Sequence, residues 1–113
     1  MEWSNKTLNV TLDAAYLLCG EIAPRMAKRK HGSIINVTTM NAELGWPGNP
    51  AYITSKSALR MLTRAVARDF GEYGVRANNL CPGYVHTRLT DGSFNDPAMH
   101  EERLSHTMLG RWG

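Results

Sequence analysis

The sequence predicts an α/β fold: a partial Rossmann-like, doubly wound parallel sheet in the order helix, strand, helix, strand, short helix. Three observations predict it. Apolar residues recur at spacings of three and four before residue 30 and again between residues 59 and 70. Two short runs with strand character, 33–38 and 75–81, flank the second helical stretch. Glycines and prolines stand at the junctions. Strands separated by a helix of about twenty residues imply a right-handed crossover and therefore parallel pairing.

Residues 7–30 read as one long helix whose apolar face is Leu8, Leu12, Ala15, Leu18, Cys19, Ile22 and Met26. Pro24 removes a helix N–H inside it and predicts a kink. Arg25, Lys28, Arg29, Lys30 and His31 then suit a solvated helix end, where cations complement the dipole. No aromatic residue is interleaved with them, so no nucleic-acid partner is expected. Gly32 is expected to end this basic tail. Ser33-Ile34-Ile35-Asn36-Val37-Thr38 is β-branched and short, as a buried strand is. Residues 40–50 read as a loop, punctuated by Gly45, Pro47, Gly48 and Pro50. A second helix runs from 49 to 70, with Leu59, Leu62, Val66 and Phe70 as its apolar stripe and Arg60, Arg64 and Arg68 opposite. Gly71 and Gly74 close it. Residues 75–81 form the second strand, stopped by Pro82-Gly83. Asp96-Pro97 caps and opens a short helix over 96–107.

A content of 42% hydrophobic and 20% charged residues places the chain among globular rather than disordered sequences, and a net charge of +3 is too mild to imply a polyanionic partner. Cys19 and Cys81 have neither metal-ligand spacing nor a close histidine. Both are expected buried in a reducing compartment, with no metal site. The first residues lack a charged leader followed by an apolar run. No apolar stretch approaches the roughly 18 residues of a membrane span. A soluble cytoplasmic protein is expected, with no membrane partner. Parallel sheets need both faces covered, so residues 1–113 are read as part of one domain; the family resemblance described below implies that it is incomplete at both ends.

The chemistry centres on Tyr52 and Lys56, four apart in Tyr52-Ile53-Thr54-Ser55-Lys56. Residues i and i+4 share a helix face, so the ammonium can sit beside the phenol and favour its ionised form. A carbonyl/alcohol couple needs such a proton donor and acceptor. Thr39 stands upstream, and Pro82-Gly83 and Thr87 follow downstream.

Together these residues resemble the classical short-chain dehydrogenase/reductase family. The motifs that carry the resemblance are Gly32 to Thr39, Tyr52 to Ala58, Gly74 to Asn78, Pro82 to Thr87 and Leu109 to Gly113, in the family's order. The resemblance implies Tyr52 as catalytic acid/base. It implies Lys56 as the partner that favours the phenolate and holds the nicotinamide ribose. Thr39 stands where a serine usually binds the substrate oxygen. Pro82, Gly83, Val85 and Thr87 would border the nicotinamide of NAD or NADP. Thr11 replaces an asparagine that supports a proton-relay water, which puts that relay in doubt. No Gly-x-Gly-x-x-Gly turn for the cofactor phosphates is present, so the N-terminal dinucleotide-binding half is read as missing and the chain alone as inactive.

The activity implied for the intact parent is hydride transfer between nicotinamide and a small-molecule carbonyl/alcohol, with a 3-oxoacyl-thioester as the favoured substrate. The alternatives are a polyol or sugar-acid dehydrogenase, or a non-catalytic fragment that only self-associates. Met40, Asn41, Trp46, Tyr84 and the segment 87–107 are expected to line the substrate. His86 and His106 are given no catalytic role. The family's subunit contact implies a homo-oligomer through the helices at 7–30 and 49–70.

Overall fold

The structure, a computed structural model, describes residues 5–45 and 47–113. Trp46, expected at the substrate, lies outside the described residues. The chain divides into two units, Met1–Cys81 and Pro82–Gly113.

In the first unit, α1 (Asn5–Leu8) passes into a π-helical turn at Asn9–Asp13 and then into α2 (Ala14–Lys28). α2 runs through Pro24, which removes the N–H that would reach the Gly20 carbonyl. The helix stops at Lys28, two residues before the expected end. Lys30 adopts the left-handed φ of 55°. Its N–H donates to Ala27 O at 3.0 Å, and His31 N–H donates to Met26 O at 3.3 Å. This paired closure normally places a glycine at the left-handed position. Gly32, expected to end the tail, lies instead inside β1 (Gly32–Val37). Its role there is close packing, because a Cβ would run into the Met26 side chain.

β1 pairs in parallel with β2 (Val75–Leu80), from Gly32↔Val75 to Val37↔Leu80. The crossover is α4 (Pro50–Phe70), continued by a 3₁₀ turn at Gly71–Tyr73. Asn49 caps α4 by accepting the Tyr52 N–H at 3.2 Å, with Pro50 in the first turn. Gly74 turns the chain into β2 at φ 80°, where a Cβ would lie 2.5 Å from the Lys30 carbonyl oxygen. Both demands exclude a side chain.

Cys19, Ala23 and Val66 form the core, with Ile34, Leu62, Phe70 and Ala77 packed against them. The buried stripe of α4 differs from the expected one: it is Ala51, Ser55, Leu59, Thr63 and Val66, while Leu62 and Phe70 are half-buried. Small and hydroxyl side chains dominate the buried side of α4. The buried hydroxyls are satisfied within α4, Ser55 donating to Tyr52 O at 2.8 Å and Thr63 to Leu59 O at 3.0 Å. Two asparagines tie the sheet to this helix. Asn36 Nδ2 donates to Thr63 Oγ1 at 2.9 Å, and Asn79 Nδ2 to Arg60 O at 3.3 Å. On the other face of the strands Ile35, Val37 and Leu80 are exposed.

The stretch expected as a loop contains α3 (Asn41–Leu44). Cys19 is buried as expected, but Cys81 is exposed, because β2 ends at Leu80 and Cys81 falls beyond the ladder.

In Pro82–Gly113, α5 (Asp91–Asn95) precedes α6 (Pro97–Ser105). Asp96 caps α6 by accepting the Met99 N–H at 3.0 Å. Trp112 is buried. Around it stand Phe94 and Tyr84, at centroid distances of 5.2 and 5.7 Å, and His100, whose ring stacks on it at 5.6 Å. The Arg103 guanidinium lies over the Tyr84 and Trp112 rings. His86 stacks on Phe94 with centroids 3.8 Å apart and pairs with Asp91 at 2.6 Å.

Candidate active site

Tyr52 occupies the first turn of α4, placed there by the Asn49 cap, and Lys56 follows one turn later. Both are half-buried. The Lys56 ammonium lies 5.9 Å from the Tyr52 ring centroid. It donates to the Val37 carbonyl at 2.7 Å. The peptide unit that follows Val37 explains why this oxygen is free. Thr38 N–H points to β2, donating to Leu80 O at 2.8 Å. In a trans peptide the attached carbonyl points the opposite way, so Val37 O lies on the open edge of β1. Burial holds the Lys56 ammonium below its usual value of 10.5, because desolvation disfavours the charged form. Only one of its three donors is used by this contact.

Thr39, Met40 and Asn41 follow β1 and are half-buried. Thr39 Oγ1 accepts from Asn41 N–H at 3.4 Å, and Thr39 O from Ala42 N–H at 3.1 Å. α3 packs on α4, which brings this turn to the helix that carries Tyr52 and Lys56. Thr11 lies in the middle of the π-helical turn, half-buried, and that turn also packs on α4. Single π turns inside α-helices re-aim backbone carbonyls and recur at functional sites.

Sequence reasoning gave no role in the site to three side chains that organise this neighbourhood, Ser57 counting only as part of a motif and Arg60 only as part of the polar helix face. Ser57 Oγ donates to Ala42 O at 3.1 Å. Arg60 Nε pairs with Glu43 Oε1. The signal for the ion pair was an acidic residue in a loop and an arginine on the helix that followed it.

The remaining expected residues belong to the second unit. Gly83, Val85 and Thr87 are exposed, Pro82 and Tyr84 half-buried. Thr90, not singled out from sequence, organises them. Its hydroxyl accepts the Thr87 N–H at 2.9 Å and donates to Val85 O at 2.8 Å. A threonine three residues after another in a turn was the available signal. Among the described residues no cluster of His, Cys, Asp or Glu is arranged to hold a metal, and no helix is long and apolar enough to cross a membrane.

A family model described as enoyl-(acyl carrier protein) reductase matches residues 1–113. Gluconate 5-dehydrogenase of Gluconobacter oxydans (strain 621H) is 30% identical over 112 residues, which cover 99% of this chain and 43% of that protein. Among solved structures, a gluconate 5-dehydrogenase from Burkholderia cenocepacia J2315 in complex with NADP and tartrate matches with a TM-score of 0.87 and 33% identity, over 98% of this chain and 45% of that one. A 4-hydroxyisoleucine dehydrogenase complexed with NADH matches with a TM-score of 0.86 and 34% identity, over 94% of this chain and 44% of that one. The chain thus spans less than half the length of the curated relatives it matches.

Proposed function

The chain belongs to the short-chain dehydrogenase/reductase family, and from that premise we propose that Tyr52, Lys56 and Thr39 form the acid/base centre of a nicotinamide-dependent oxidoreductase acting on a sugar acid and its keto form. The observation that carries the reading is the half-buried Lys56 ammonium one helical turn from Tyr52.

The donors of each unit, taken separately, suit NAD or NADP. Lys56 has two N–H groups beyond its bond to Val37, suited to ribose hydroxyls, and the exposed Thr87 hydroxyl suits a carboxamide. These 113 residues contain no glycine-rich turn for the phosphates. When bound, the nicotinamide supplies or accepts hydride. Tyr52 gives its phenolic proton to the substrate oxygen in reduction and takes it back in oxidation. Thr39 donates a hydrogen bond to the same oxygen. The Lys56 charge stabilises the phenolate left on Tyr52. In this reading Pro82, Gly83 and Val85 would border the ring, and Met40, Asn41 and Tyr84 would contact the substrate. Thr11 lies in the π turn, at the position where the family's asparagine supports a relay water.

The sugar-acid reading draws on the two gluconate 5-dehydrogenases. The family model's description favours a second reading, a 3-oxoacyl thioester. Rates with 5-keto-gluconate and with an acetoacetyl thioester, at millimolar reduced cofactor, separate the two. Tyr52→Phe should lower the rate on the true substrate by about 10²–10⁴-fold; an unchanged rate overturns the role of Tyr52. The isolated chain should bind either cofactor only weakly, and micromolar affinity in a fluorescence titration would overturn that. Tyr16, Leu17 and Leu18 of α2 are more than half exposed, which supports self-association through α2 and α4. A clean monomer in sedimentation at micromolar concentration would exclude it.

A further inference from the structure

We propose that Ser57 and the Glu43–Arg60 pair are positioning residues that set where Thr39 stands relative to Tyr52. The proposal rests on the acid/base reading of those two residues. The segment from Val37 to Glu43 is fixed to α4 at both ends. At its start Lys56 holds the Val37 carbonyl at 2.7 Å. At its end Ser57 holds the Ala42 carbonyl at 3.1 Å and Arg60 holds the Glu43 carboxylate. Thr39 lies between these points. The turn that carries it is internally bonded, with Ala42 N–H on Thr39 O, Glu43 N–H on Met40 O at 3.0 Å and Gly45 N–H on Asn41 O at 2.9 Å. It therefore follows its attachments as a unit. Those attachments and Tyr52 share one rigid helix.

Neighbouring residues on α4 show that these attachments are particular to their positions. A serine inside a helix usually bonds a carbonyl of its own preceding turn. Ser55 does so, on Tyr52 O at 2.8 Å. Ser57, two residues on, instead reaches out of the helix to Ala42. Arg64 and Arg68 are exposed, whereas Arg60 is half-buried against Glu43. The Arg60 backbone carbonyl also accepts from Asn79 Nδ2 at 3.3 Å, which ties the foot of the clamp to β2.

The test uses Ser57→Ala, Ser57→Thr, Glu43→Arg, Arg60→Glu and the Glu43→Arg/Arg60→Glu double variant of the 113-residue chain. Amide hydrogen exchange is the first readout. Ser57→Ala and each single charge reversal should speed exchange at Asn41 and Ala42 by about fivefold, the scale of one lost hydrogen bond. Val66 and Ala77 should not change. Ser57→Thr and the double reversal should restore protection. Alanine is a better helix former than serine, so faster exchange confined to the turn does not come from global unfolding. The second readout is kcat/KM for the keto acid at millimolar cofactor. Ser57→Ala should lower it in the unsubstituted chain and leave it unchanged in a Thr39→Ala background. Unchanged exchange at Asn41 and Ala42, or equal losses in both backgrounds, overturns the proposal. Absence of turnover in the unsubstituted chain is the outcome expected without a glycine-rich phosphate turn, and exchange at Asn41 and Ala42 then decides the clamp by itself.

Discussion

Unit Met1–Cys81 and unit Pro82–Gly113 hold functional backbone with different materials. In the first, α4 buries Ala51, Ser55, Leu59, Thr63 and Val66, none larger than leucine, and asparagines on β1 and β2 reach across to it. Tyr52 and Lys56 take their places from a helix and a strand ladder. In the second, two short helices surround one buried tryptophan, and Tyr84, His86, Phe94, His100 and Arg103 stack around it or on one another. Val85 and Thr87 are bonded by the Thr90 hydroxyl, and their neighbours Tyr84 and His86 by the backbone of Gly113, next to that tryptophan. The difference teaches that the first arrangement spreads its energy over many small contacts, whereas the second concentrates it in one residue.

The largest test of that contrast is Trp112→Ala. Losing a buried tryptophan costs about 3–5 kcal/mol, which should collapse amide dispersion for residues 82–113 in NMR spectra. A loss below about 1 kcal/mol in urea unfolding would break the comparison. Next is Thr63→Val, which keeps the shape of the α4 core but leaves Asn36 Nδ2 without its partner. We expect a cost of about 1–3 kcal/mol, largely recovered in the Thr63→Val/Asn36→Leu double variant. An additive double variant would show that packing, not the hydrogen bond, holds the strand. Smaller still, Lys30→Gly should stabilise the chain by about 1 kcal/mol by relieving a left-handed non-glycine residue, read as a rise in Tm. The smallest effect concerns pH. The folded-state value of Lys56 lies below 10.5, so between that lowered value and 10.5 the unfolded chain binds more protons. The contribution of Lys56 to stability therefore rises with pH through this alkaline window. The urea midpoint of the native chain should gain on that of Lys56→Met there, and a constant difference would show that burial does not tune this lysine.

Local chemistry made much of this legible. Asp96-Pro97 announced the start of α6, because a cap acts on the next three residues, whereas Pro50, read as loop punctuation, opens α4 behind the Asn49 cap. The parallel pairing followed from the long crossover between two short strands. The Tyr52–Lys56 adjacency followed from helical spacing. What was not legible depends on backbone pairing or on distant partners. The π turn around Thr11 is a choice of hydrogen-bond partner that no side chain dictates. α3 has four residues, too few for any period to show. Lys30 takes the left-handed site that Gly32 was expected to serve, since Gly32 is needed against Met26. Ser57 and Ser55 look alike in sequence, and only the position of Ala42 separates their roles.

The peptide unit between Val37 and Thr38 carries a further consequence. Its oxygen receives the Lys56 ammonium and its N–H donates to Leu80 across the sheet. A cation on the oxygen polarises the amide and strengthens the N–H as a donor. The charge of Lys56 is therefore transmitted through one amide group into the β1–β2 ladder. Loss of that charge would loosen the last rung of the sheet.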